Sequence, residues 1–143
     1  MRIRWSRTAL LALAGVLAMA ALAVAKSATV GVGRASVKGH KESVAVNARG
    51  VTIYELGPET THHLVCRSQA CFAAWPPVKA TGAVTKMAGV SGKVGTIKRG
   101  GFDQVTLNGK PVYTFVEDGG RRGEAEGDGI RNFGGVWHVF KEG

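Results

Sequence analysis

Two stretches of this chain follow one pattern, and the repetition limits the folds open to it. The first runs Val51-Thr52-Ile53-Tyr54-Glu55-Leu56, then Glu59, then Trp75-Pro76-Pro77-Val78. The second runs Lys110-Pro111-Val112-Tyr113-Thr114-Phe115, then Asp118, then Trp137-His138-Val139-Phe140. In each, an aliphatic residue precedes a tyrosine, a bulky apolar residue follows two positions later, and an acid lies five positions later. A tryptophan follows the tyrosine by 21 positions in the first and 24 in the second. Two such copies predict a pseudo-symmetric fold in which each half covers the other's apolar face.

The start of the chain has a separate logic. Arg2, Arg4 and Arg7 precede an apolar run from Ala9 to Ala25, which ends Ala23-Val24-Ala25 before Lys26-Ser27. A basic start, an apolar middle and small residues at the end mark a secretory signal peptide. Cleavage is expected after Ala25. The alternative is an uncleaved segment retained as a membrane anchor, although the run is at the short limit for a span. No cysteine precedes Cys66, so a lipid anchor is not expected. Removing 25 of 143 residues leaves 118, and losing three arginines lowers the formal charge from +9 to +6. The destination is the cell envelope or the medium. There a cationic chain favours anionic cell-envelope polymers. The basic residues are scattered and not interleaved with aromatics, which argues against a specific nucleic-acid platform.

Residues 26–42 carry few packing residues and read as a flexible linker. Residues 43–143 then form a single domain of two repeats, about 44–79 and 94–141. Val44 to Leu56 is β-branched and turns at Asn47-Ala48-Arg49-Gly50. Alternation places Ile53 on one face and Tyr54 and Leu56 on the other. Residues 68–75 lack alternation and precede Pro76-Pro77, which predicts one short helix ending at the prolines. Residues 79–93 read as a loop and Val94–Arg99 as a strand. Asn108-Gly109 joins Gln104–Leu107 to Val112–Phe115 as a hairpin, because both turn positions accept positive φ. A polar, Gly-rich loop from Asp118 to Asn132 leads to a closing strand at Val136–Phe140. The expected fold is mainly β: a small antiparallel domain with one short helix.

Tyr113-x-Phe115-x-x-Asp118, the block Cys66-x4-Cys71-x3-Trp75-Pro76-Pro77, and the ending Gly127-x-Gly129-Ile130-x3-Gly134-Gly135-x-Trp137 carry a family likeness. Together they resemble the bacterial secreted repeat proteins, also described as predicted lipoproteins with a Y-x-(F/W/Y)-x-x-D motif. The resemblance covers about residues 44–140. It implies an exported, two-repeat, β-rich domain and supplies no activity. The first repeat departs from the motif, with Leu56 for the aromatic and Glu59 for the aspartate.

Several residues could carry chemistry. Cys66 and Cys71 are the only cysteines. An oxidising compartment favours a structural disulfide between them, and a redox or metal-binding pair is the alternative. His62 and His63 with a Cys66 thiolate could hold copper or zinc. Adjacent residues of an extended chain point opposite ways, which opposes that reading. Glu124, Glu126 and Asp128 in the Gly-rich loop could hold calcium. Asp118 can instead accept backbone N–H bonds and fix the start of its loop, and Glu59 can do the same in the first repeat. Trp75, Trp137, Tyr54, Tyr113 and Phe115 read as core, with an exposed sugar- or peptide-binding groove as the alternative. No nucleophile elbow or complete catalytic motif is present, so an enzyme is not expected. The leading function is a binding or structural module without a cofactor. A metal- or redox-handling protein comes second, and a small hydrolase last.

Overall fold

The computed structural model describes residues 28–143, so the proposed signal segment at 1–25 lies outside the described residues. The described residues begin with β1 (Ala28–Val37) and β2 (His40–Val46), then β3 (Tyr54–Leu56) and α1 (Gln69–Ala74). Next come β4 (Lys79–Ala80), β5 (Val84–Lys86), β6 (Val94–Lys98), β7 (Asp103–Leu107) and β8 (Lys110–Pro111). A 3-10 turn at Val116–Asp118 leads to β9 (Arg131–Asn132) and β10 (Gly135–Val139). The architecture is mainly β, and the named strands pair antiparallel except where β1 meets β5. Among the described residues, no helix is long and apolar enough to cross a membrane.

The strands lie in three small sheets, ordered β2-β1-β5, β3-β10-β9 and β4-β7-β6, with β8 beside β7. Residues 28–42 are not the flexible linker that their composition suggests. They form a hairpin in which Val37 pairs with His40 across Lys38-Gly39. Their apolar side chains are small, but Val30, Ala35 and Val37 are 2%, 1% and 4% exposed. They join packed clusters that include both the neighbouring β2 and residues far along the chain. β4 and β5 likewise form inside the expected loop at 79–93, by pairing with β7 and β1.

Local chemistry explains the elements that were foreseen. Ser68 caps α1, its hydroxyl accepting from the Cys71 N–H at 3.1 Å. The helix stops at Ala74, one residue short of the Trp75 that precedes Pro76, as the disfavoured α conformation before proline requires. At the β7–β8 turn, Asn108 and Gly109 have φ of 53° and 70°. These are the positive values that a two-residue hairpin loop demands. The ladder there is shorter than expected. Val112 still donates to the Val105 carbonyl, but Tyr113 leaves to pair with Tyr54.

Strand alternation divides the interior into two packed clusters. Tyr54, Leu56, Tyr113, Phe115, Trp75, Trp137 and both cysteines fill one. Ala45, Ile53, Val105, Leu107 and Val112 fill the other. The β3 region and the chain around Tyr113 therefore have both faces covered, and neighbouring residues Ile53 and Tyr54 serve different cores.

Candidate functional site

The tyrosines and acids of the two echoing segments meet at the centre of the aromatic cluster. Tyr54 and Tyr113 face each other across an antiparallel bridge. The Tyr54 N–H donates to the Tyr113 carbonyl at 2.8 Å, and the Tyr113 N–H returns the bond at 3.0 Å. Their hydroxyls then cross over. Tyr54 donates to Asp118 Oδ2 at 2.5 Å, and Tyr113 donates to Glu59 Oε1 at 2.5 Å. Each tyrosine thus uses the acid that follows the other tyrosine. All four side chains are fully buried.

The remaining carboxylate oxygens hold loops. Glu59 Oε2 accepts from the N–H groups of Val65 and Cys66 at 2.7 and 2.8 Å. Asp118 Oδ1 accepts from the Glu126 N–H at 2.9 Å. This is the loop-fixing geometry that the five-residue spacing suggests, extended by a tyrosine from the other echoing segment. A buried carboxylate needs such donors to offset its desolvation. Burial is the main cause that raises the pKa of both phenols, and the hydrogen bonds to Asp118 and Glu59 add to it. Burial also raises the Asp118 pKa, opposed by the bonds from Tyr54 and Glu126. Near Tyr113 the Arg99 charge pulls the phenol the other way.

The indoles of Trp75 and Trp137 stack at 3.9 Å with 5° between their planes. Tyr54 meets Trp75 edge-on at 5.4 Å, and Tyr113 meets Trp137 edge-on at 5.1 Å. Phe115 stacks on Trp75 at 4.3 Å. Gly127 lets its loop approach this cluster. A Cβ there would lie 2.8 Å from the Trp75 ring and 3.0 Å from the Tyr54 ring. Both indole N–H groups donate to Asn132 Oδ1, at 3.2 and 2.7 Å. Asn132 is one position sequence reasoning missed, because nothing local to a polar loop signals that it will receive two indoles. Arg99 is another. Its guanidinium lies 5.2 Å from the Phe72 ring and donates to the Cys66 carbonyl.

Cys66 and Cys71 form a disulfide with Cα atoms 5.8 Å apart, and both are 1% exposed. The thiolate that a copper or zinc site would need is consumed. His62 and His63 are exposed. The acidic loop does not converge either. Asp128 faces Lys38 at 3.5 Å and accepts from the Val139 N–H at 3.1 Å, Glu124 faces Arg121 at 3.9 Å, and Glu126 is exposed. Among the described residues, no three His, Cys, Asp or Glu side chains are grouped to hold a metal ion. Nor do Trp75, Trp137, Tyr54, Tyr113 and Phe115 line an exposed groove, since none is more than 7% exposed.

What remains open to solvent is a cleft of about 640 Å3 beside the β2–β3 turn. Arg49 and Lys79 line it together with Pro76, Pro77, Thr29 and Thr114. A second hollow of about 400 Å3 shares Thr29, Asn47 and Ala48 with the first and adds Arg122 and Met87. No Asp or Glu lines either one.

Residues 95–141 match a family described as a secreted repeat of unknown function. That span holds Tyr113, Phe115, Asp118 and Trp137, the second of the two echoing segments. No curated protein and no solved structure matches the chain.

Proposed function

We propose that this protein is exported and works at the cell envelope as a non-catalytic β module of two related halves, binding an anionic partner. One observation carries the reading. The groups able to do acid–base chemistry at the core, Tyr54, Tyr113, Glu59 and Asp118, are buried and satisfied by one another. Their engagement with one another in the core supports a structural role for these four groups. The exchange of hydroxyl partners between the two Tyr–acid segments supports two related halves. The oxidised Cys66–Cys71 pair suits an oxidising compartment. The family description, secreted repeat, suits export. The formal charge of +9, of which +6 remains once Arg2, Arg4 and Arg7 are lost with the signal, favours an anionic partner.

The test is the intact mass of the protein recovered from the medium or periplasm of an expressing cell. A mature chain beginning near Lys26, without free thiols, is expected. A chain that stays in the cytoplasm with two free thiols overturns the export reading.

A further inference from the structure

We propose that the cleft beside the β2–β3 turn is a binding site for a soluble phosphate-bearing polyol polymer, a chain of hydroxylated units joined by phosphodiesters. The proposal deepens the envelope-binding reading and rests on it. Three features of the cleft point to this ligand class. First, its charge has one sign. Arg49 and Lys79 line the larger hollow and Arg122 the smaller, with no carboxylate in either. None of the three belongs to an ion pair among the described residues, whereas Lys38, Lys98, Lys110, Arg121 and Lys141 each do. Guanidinium and ammonium groups without carboxylate partners suit phosphate oxygens.

Second, the neutral part of the lining is mixed. Thr29, Asn47 and Thr114 offer hydroxyl and amide groups, while Pro76 and Pro77 offer apolar surface. A hydroxylated carbon chain uses both kinds of contact, whereas a bare inorganic anion has no use for the apolar surface. Third, the two hollows share residues and carry cations in succession. That suits a ligand whose charges repeat.

The walls are held before any ligand arrives. Asn47 Oδ1 accepts from the Arg49 and Val51 N–H groups at 2.9 and 3.1 Å. Arg122 Nε donates to the Arg49 carbonyl at 2.8 Å, fastening the turn to the distant loop. Lys79 Nζ rests 4.8 Å from the Phe102 ring. A held site loses less conformational entropy on binding.

Calorimetric titration of the protein with synthetic poly(glycerol phosphate) tests this, beside dextran as the uncharged polyol and poly-glutamate as an anionic peptide. Binding to poly(glycerol phosphate) is expected to weaken as salt rises. Arg49→Ala with Lys79→Ala should weaken it by about tenfold or more, while Lys98→Ala with Lys141→Ala should change it by about twofold or less. If the alanine pair does not fold by its thermal transition, Arg49→Gln with Lys79→Gln makes the same comparison. Equal losses in the cleft pair and the control pair overturn the site and leave the envelope reading standing. Preference for poly-glutamate or dextran overturns the ligand class. No binding to either polyanion overturns the anionic-partner reading and the site together.

Discussion

Replacing Tyr54 by phenylalanine removes one hydroxyl and leaves Asp118 buried with a single N–H donor, that of Glu126. Tyr113→Phe takes the same donor from Glu59, which keeps two backbone donors. Each loss is of a hydrogen bond to a buried acid and should cost about 2 kcal/mol. Tyr54→Phe is expected to be the more damaging, because fewer donors remain. Urea unfolding of the two variants ranks them, and a larger loss at Tyr113 would contradict the count of donors. The raised pKa of Asp118 has its own signature. Burial is its main cause, so the folded state holds this proton more tightly than the unfolded state, whose value is 3.8. Stability contributed by Asp118 therefore falls as pH rises from 3.8 through the raised value, and is regained on acidification. Unfolding midpoints of the wild type should gain on those of Asp118→Asn as pH drops through that window. The sequence made the acids visible through their spacing from the tyrosines, but the natural reading paired each acid with its own segment. The hydroxyl partner of Asp118 lies 64 positions away, beyond any local pattern.

Short elements in this fold depend on individual fastenings. The six-residue helix α1 is too short to be stable alone. It is capped by Ser68 and tethered by the disulfide from Cys66 to Cys71. Ser68→Ala should cost about 1 kcal/mol. Replacing both cysteines by alanine should cost roughly 2 kcal/mol, the value for so short a loop. Thermal melts of the two variants check both numbers, and a cysteine-free protein as stable as the wild type would show that the bridge contributes nothing. The helix and the Asn108-Gly109 turn were legible because each follows from contacts within a few residues. The β1–β2 hairpin was not. Its glycines and short apolar side chains look like linker when taken alone, yet Val30, Ala35 and Val37 of β1 are buried. The Ala45 N–H donates to the Phe140 carbonyl at 2.9 Å, a partner supplied from the far end of the chain.

The two echoing segments pack against each other, so a fragment carrying only one of them is not expected to fold alone. β3 pairs with β10, Tyr54 with Tyr113, and Trp75 stacks on Trp137. A chain truncated after Lys93 keeps Tyr54, Glu59 and Trp75 and loses every one of those partners. It should show no cooperative thermal transition and a collapsed near-ultraviolet circular dichroism signal. A sharp, independent transition in that fragment would sink the view that the two echoing segments depend on each other. The interleaving also explains why the two clusters of apolar residues do not correspond to the two echoing segments. Ile53 and Val112 come from different segments and share one cluster, while Tyr54 and Tyr113 share the other.

The sequence alone determined the β-rich class, the single short helix, the cysteine pair and the positions of the tyrosines, acids and tryptophans. Backbone propensity, turn chemistry and side-chain alternation act over a few residues, and a linear reading captures them. Only the tertiary structure decided that the acids exchange tyrosines, that Asn132 receives both indoles, and that Arg49 and Lys79 line a common cleft. Those contacts join residues tens of positions apart, and their partners become neighbours only once the apolar faces have been buried against each other.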